Sequence, residues 1–77
     1  MDYDYYKTNL QALASFGIPS PGDMRFGCFK SVRANMTKTI LAVGRELGLH
    51  LIIDHKPLDD NTYVLIVRID RLRRVRR

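Results

Sequence analysis

The side chains best suited to chemistry in this sequence are the guanidinium groups of its C-terminal segment, Arg68–Arg77. This segment holds six Arg and one Asp, whereas residues 1–67 hold seven basic and seven acidic residues, so the whole net charge of +5 lies here. A guanidinium group stays charged and offers a planar fork of donors that fits phosphate oxygens. Neutralising phosphates releases condensed counterions. The segment therefore predicts salt-sensitive nucleic-acid binding with little base selectivity.

A second basic feature is a strip along the predicted central helix. Lys30, Lys38 and Arg45 fall within about 80° of one another on a helical projection, and Arg33 flanks them. No carboxylate lies between these cations, so the helix is expected to rest on a phosphate backbone. The alternative is that they only solvate the outside of an amphipathic helix. The candidate nucleic-acid-binding residues are Arg68, Arg71, Arg73, Arg74, Arg76, Arg77, Lys30, Arg33, Lys38 and Arg45.

The other reactive side chains do not form a recognisable catalytic or metal site. On a predicted strand His50 and Asp54 share one face and His55 takes the other, while Cys28 stands on a different element. This arrangement does not gather three ligands for zinc. The glycine spacing also matches no phosphate-binding loop. We therefore expect a non-catalytic protein that needs no metal or cofactor.

Length and composition favour one small domain. A chain of 77 residues buries only about 60% of its unfolded surface, so a homodimer or a bound partner would help to stabilise it. The single Cys28 excludes a disulfide within the chain, and the N-terminus does not resemble a signal peptide. No apolar run approaches the roughly 20 residues needed to cross a bilayer. These features predict a cytoplasmic protein that does not bind membranes.

The N-terminal third predicts one helix followed by a turn. Tyr3, Tyr6, Leu10 and Leu13 recur at helical spacing, so we expect Tyr3 and Tyr6 in the core and the intervening tyrosine on the surface. The alternative is that these tyrosines stack on exposed bases. The segment 17–23 contains two Gly and two Pro, which end the helix and turn the chain.

The central helix is predicted from Phe29 to Leu47, with Gly48 as the residue that closes it. Segment 24–28 before it is ambiguous, because it alternates like a short strand and also fits the start of this helix. The apolar stripe of the helix consists of Phe29, Val32, Met36, Ile40, Val43 and Leu47.

A β-hairpin is predicted from two aliphatic segments, Leu49–His55 and Thr62–Asp70, joined by a turn rich in Pro, Asp and Asn. One face of the second strand carries Tyr63, Leu65, Val67 and Ile69. The other face, with Val64 and Ile66, is unusually apolar, so we expect a second copy or the first helix to cover it.

The predicted architecture is an α+β domain over residues 1–70, in which two helices pack on an antiparallel hairpin in the order α-α-β-β. Residues 71–77 form a basic tail. Ile69, Leu72 and Val75 recur every three residues, so the tail is expected to be an arm or a short helix that folds on contact.

The end of the central helix, from Ile40 to His50, followed by a hairpin, resembles the second half of the small single-strand-binding domains named for an Arg-x-x-x-His motif. The likeness covers about 30 residues. When the Gly48-Leu49 step is aligned, Thr37 and Leu41 occupy the positions of the family's Arg and His. The defining residues are therefore absent from this chain.

Two hypotheses about function follow from the sequence. The first is a small nucleic-acid-binding protein that holds phosphates of DNA or RNA through its Arg-rich end and basic helix face. The second is a small phage or mobile-element protein that inhibits or adapts a host protein complex, with its Arg tail on an acidic protein surface.

Overall fold

The computed structural model describes residues 3–73 and has an α+β architecture. The α+β class and the two helices are confirmed, but the predicted two-stranded α-α-β-β order is wrong because a third strand lies between the helices. The elements are α1 (Tyr3–Ala14), β1 (Met24–Phe29), a 3₁₀ turn (Lys30–Val32), α2 (Arg33–Glu46), β2 (Leu49–Pro57) and β3 (Thr62–Leu72).

Strand β1 resolves the ambiguous segment in favour of a strand. It pairs antiparallel with β3, from Met24 opposite Val67 to Phe29 opposite Thr62. Its residues alternate as a half-covered strand requires, with Phe26 buried between exposed neighbours. The predicted helix started too early, because Phe29 ends β1 and Val32 lies in the 3₁₀ turn.

The three strands form one antiparallel sheet in the order β1-β3-β2, so β3 is the central strand. The predicted hairpin of β2 and β3 is confirmed, and β3 continues two residues past Asp70. The register contains a bulge, since Leu51 pairs with Ile69 while His50 pairs with Arg71. Asp70 is thus the extra residue of β3 at this end of the sheet.

Both helices pack on the same face of the sheet, which we call the closed face. Most of the predicted apolar positions of α1 and β3 are confirmed as core, and so are Ile40 and Val43 of the α2 stripe, but Tyr3 and Tyr63 are only half-buried. The buried residues are Tyr6, Leu10, Leu13, Phe26, Ile40, Val43, Leu49, Leu51, Leu65, Val67 and Ile69. Because α1 lies on this face, it does not cover the other face as one alternative expected.

The junctions around the closed face are held by backbone geometry. Gly48 has a φ of 72° and its N–H donates to the Arg45 carbonyl at 3.1 Å, so α2 closes as predicted. Gly44 lets α2 approach β2, because a Cβ there would lie 2.7 Å from Cδ1 of Leu51. In the turn, the Ser20 N–H donates to the Ile69 carbonyl at 2.9 Å, which fixes the loop to β3.

The helices α1 and α2 contain 12 and 14 residues. Within residues 3–73, no helix is long and apolar enough to cross a membrane.

Candidate nucleic-acid interface

The face of the sheet opposite the helices, which we call the open face, is not covered by any element of residues 3–73. It carries the alternate residues of all three strands, so its surface is set by the strand register. Its residues are Arg25, Gly27 and Phe29 from β1, Ile52, Asp54 and Lys56 from β2, and Thr62, Val64, Ile66 and Arg68 from β3, with His50, Asp70 and Arg71 at the bulged end.

The centre of the open face is apolar and its margins are charged. Ile52, Val64 and Ile66 are half-buried, although neither helix lies on them. Arg25 sits beside Ile66, and Arg68 is opposite Ile52. This register makes the two Arg side chains diagonal neighbours, whose backbones are about 7–8 Å apart in such pairs. Asp54, which is opposite Ile66, is a diagonal neighbour of Arg68 in the same way, so this part of the face carries two guanidinium groups and one carboxylate.

Ion pairs occupy only some of these cations. Arg25 Nε lies 3.4 Å from Asp23 Oδ1, and Arg71 Nε lies 3.6 Å from Asp70 Oδ2. Both pairs are exposed, so each holds its guanidinium weakly. Arg68 and Lys56 have no ion-pair partner among residues 3–73. These two cations are therefore free to meet phosphate oxygens.

His50 lies at the bulged end of the open face. Its Nδ1 is 3.4 Å from Asp70 Oδ2, within ion-pair distance. The same nitrogen is shielded from solvent and makes no well-aligned hydrogen bond. We regard the contact as a loose one that leaves Asp70 shared between His50 and Arg71.

The basic strip of α2 lies on the other side of the molecule. Lys38 and Arg45 are exposed, as are Ala34 and Leu41 between them in projection. They are on the side of the helix opposite to Ile40 and Val43, which face the closed face. A single flat nucleic-acid surface therefore cannot contact both the strip and the open face.

The two remaining residues of the predicted strip are not part of it. Lys30 lies in the 3₁₀ turn before α2, where the α-helical projection does not apply. The guanidinium of Arg33 lies 4.2 Å from the centroid of the Tyr63 ring, and Arg33 is half-buried. This cation–π contact gives Arg33 a structural partner inside the domain.

The first half of the Arg-rich segment belongs to the sheet, because β3 extends to Leu72. Arg71 belongs to β3, and the N–H of Arg73 donates to the Gly48 carbonyl at 2.9 Å. The segment thus leaves the sheet beside the C-terminus of α2. The helix expected across the tail cannot include Ile69 or Leu72, because both are in β3. The predicted phosphate ligands Arg74, Arg76 and Arg77 lie outside the described residues.

A polar contact joins the two helices on the flank of the closed face. Glu46 accepts a hydrogen bond from the Tyr3 hydroxyl at 2.8 Å, and its Oε2 lies 2.9 Å from Lys7 Nζ. Lys7 and then Tyr3 lower the pKa of Glu46, while the carboxylate raises the pKa of Lys7 and of Tyr3. As predicted, Tyr6 is core and Tyr5 is exposed.

In the hairpin turn, the carboxylate of Asp59 accepts hydrogen bonds from the turn itself, which agrees with the predicted role of Asp as a turn former. Asp59 Oδ1 accepts hydrogen bonds from the N–H groups of Asn61 and Thr62 at 2.8 and 2.9 Å. The Asn61 N–H is the main cause that lowers the pKa of Asp59. Within residues 3–73, no three His, Cys, Asp or Glu side chains are grouped so that they could hold a metal ion.

Two cations of the open face, Arg25 and Lys56, were missed by the sequence reasoning. Arg25 is in β1, which was not assigned, and Lys56 was assigned to the turn and not to the strand. The alternation of Arg25 with Met24 and Phe26 was the signal that could have identified the first. Assigning Lys56 to the open face required knowing that it pairs with Val64, and this register is set by the whole hairpin.

Comparisons of the chain with protein-family models, with curated proteins and with solved structures found no match. The residues aligned with the Arg and His of the single-strand-binding motif, Thr37 and Leu41, carry neither a guanidinium nor an imidazole group. There the Thr37 hydroxyl donates to the Arg33 carbonyl at 2.8 Å, and Leu41 is exposed.

Proposed function

We propose that this protein binds nucleic acid through the open face of its sheet and through its Arg-rich C-terminal segment. The observation that carries the proposal is the open face itself. It presents Arg25, Lys56, Arg68 and Arg71 around a small apolar centre and continues along β3 into the segment that holds the other Arg residues.

The chemistry of this face favours phosphate over base recognition. Among the described strands, the only aromatic side chain that the register assigns to the open face is Phe29, at the end of β1. Sequence-independent binders combine a basic groove with several stacking aromatics, and here the basic part dominates. We expect salt-sensitive binding that differs little between sequences.

The α2 strip is the weaker candidate surface. Lys38 and Arg45 are two cations on the exposed side of an amphipathic helix, where charged residues normally occur. The open face carries four cations, and two of them, Arg68 and Arg71, belong to the Arg-rich segment. The proposal therefore assigns phosphate contacts to Arg25, Lys56, Arg68 and Arg71 and to the segment that follows.

The alternative remains a small phage or mobile-element protein that inhibits or adapts a host protein complex. An acidic partner surface would satisfy the same cations, because carboxylates and phosphates both accept guanidinium donors. The response to salt and to oligonucleotide length distinguishes the two, since counterion release grows with the number of phosphates bound.

The test is a titration of the full chain with single- and double-stranded DNA and RNA at several salt concentrations. We expect binding at low salt and a linear fall of log K with log salt. Replacing Arg74, Arg76 and Arg77 with Gln in the full chain should reduce that slope, because fewer phosphates are neutralised. The replacement leaves all of β3 unchanged. The absence of binding to every one of these ligands near about 50 mM salt would contradict the proposal.

A further inference from the structure

One end of the molecule exposes apolar side chains that converge from three separate segments. Phe29 at the end of β1 is 66% exposed, Leu58 in the hairpin turn 62%, and Val32 in the 3₁₀ turn 43%. Single exposed apolar residues are ordinary on protein surfaces, whereas a contiguous group marks an interaction site. These three line one groove.

The groove has a volume of about 440 Å³, which is within the range of sites that take a side chain or a small ligand. Its walls also include Cys28, Met36 and Tyr63. Met and Cys are polarizable, and the flexible Met side chain adapts to the shape of a bound group. The groove is therefore an apolar and deformable site.

A second cleft adjoins this groove at Phe29, which lines both of them. Lys30 and Asn61 line the cleft, and the Lys30 N–H donates to the Asn61 carbonyl at 2.7 Å, which fixes the two segments together. The Lys30 ammonium has no ion-pair partner among residues 3–73. An apolar site thus opens beside an unpaired cation.

The lining of the groove and the cleft favours an acidic contact at one point. Among the described residues that line them, Lys30 is the only charged one. Arg33 stacks on Tyr63, a wall of the groove, while Asp59 and Asp60 lie in the hairpin turn outside this lining, and Asp59 accepts hydrogen bonds from N–H groups of its own turn. A carboxylate placed at Lys30 would form a charge-assisted contact.

A nucleobase fits this site poorly. Its polar edges would lose hydrogen bonds against a wall of Val32, Met36 and Leu58. Arg33 already occupies one face of the Tyr63 ring.

We propose that the groove and the adjoining cleft bind a peptide segment of a partner protein that presents a bulky apolar side chain next to a carboxylate. The apolar side chain enters between Val32, Met36 and Leu58, and the carboxylate meets Lys30. The groove borders the open face at Gly27 and Phe29, but none of the proposed peptide contacts is a proposed phosphate contact, so the inference does not depend on nucleic-acid binding.

The experiment selects short random peptides on the immobilised full chain and titrates a synthetic peptide of the enriched sequence. We expect enrichment of Leu, Phe or Met with Asp or Glu within one or two positions. Leu58→Ser should weaken the binding of this peptide by about tenfold or more, as removal of a central apolar side chain does. The matched control is Phe16→Ser, which removes an exposed apolar side chain elsewhere.

A charge reversal gives a second readout that does not depend on the apolar contact. Lys30→Glu should change the enriched flanking residues from acidic to basic. The proposal is wrong if no such motif is enriched, or if Phe16→Ser weakens peptide binding as much as Leu58→Ser. It is also wrong if Leu58→Ser weakens oligonucleotide binding and not peptide binding, or if it abolishes a concentration-dependent dimer.

Discussion

The two faces of the sheet come from alternate residues of the same strands, yet they differ in burial and in charge. On β3, Leu65 is fully buried beneath the helices, whereas its neighbour Ile66 is half-buried on the open face. Residues on the closed face are nearly all apolar, whereas the open face mixes β-branched side chains with charged ones. The closed face therefore supplies the stability, and the open face is the surface to which we assign the proposed binding.

The largest expected effect is on stability and compares these two neighbours. Leu65→Ala should lower the free energy of unfolding by about 2–5 kcal/mol, because it leaves a cavity between the helices and the sheet. Ile66→Ala should cost no more than about 1–2 kcal/mol, since it removes a side chain already in partial contact with water. Denaturant unfolding of both variants measures the difference.

Equal losses of stability in the two variants would contradict the difference in burial between the two faces. They would show that the open face is covered in solution, by a second copy or by another element. Sedimentation of the unmodified chain at several concentrations distinguishes these explanations, because only a second copy changes the mass.

The sequence predicted the closed face well because its patterns are local. The alternation through Leu65, Val67 and Ile69 identifies a strand face, and the spacing of Ile40 and Val43 identifies a helix face. The closing residue Gly48 was likewise predicted from its position after the last apolar residue. Each of these signals lies within one element and does not depend on partners far along the chain.

Val64 and Ile66 on the open face were predicted, but the charged margin was predicted only in part, because its composition depends on register between distant segments. Strand β1 is six residues long and pairs with a strand that begins more than 30 residues later, so its own pattern could not decide between strand and helix. Phe29 and Val32 continued the helical spacing by coincidence and placed the predicted helix start too early. Arg25 and Lys56 became part of one surface only through pairing with β3.

A smaller stability effect is expected from the cation–π contact at the end of the closed face. Arg33→Met should lower the free energy of unfolding by about 0.5–1 kcal/mol, because it removes the charge above the Tyr63 ring. Lys38→Met, on the exposed side of α2, is the matched control and should leave stability unchanged. Denaturant unfolding at two salt concentrations checks both. An equal change in the free energy of unfolding of the two variants would mean that the contact between Arg33 and Tyr63 adds nothing to stability.

The smallest stability effect concerns pH and the contact between the helices. The pKa of Glu46 is lowered in the folded state, first by Lys7 and then by Tyr3. Its contribution is therefore fully present above the ordinary carboxyl pKa and is lost as the pH falls through the lowered value. Thermal unfolding from neutral to acidic pH should show a shallower fall for Glu46→Gln than for the unmodified chain. An unchanged acid profile would mean that the contact is not maintained in solution.

The most direct test of the central claim compares two pairs of cations on opposite sides of the molecule. The open-face pair is Arg25→Ala with Arg68→Ala, and the α2 pair is Lys38→Ala with Arg45→Ala, so each variant has two fewer positive charges. Binding of a fixed oligonucleotide is measured against salt. We predict that the affinity of the open-face variant falls about tenfold or more, with its salt slope reduced by about 0.7–0.9 for each phosphate that is no longer bound. The α2 variant should change little. The reverse order, or an equal fall in both variants, would contradict the assignment of the open face as the interface.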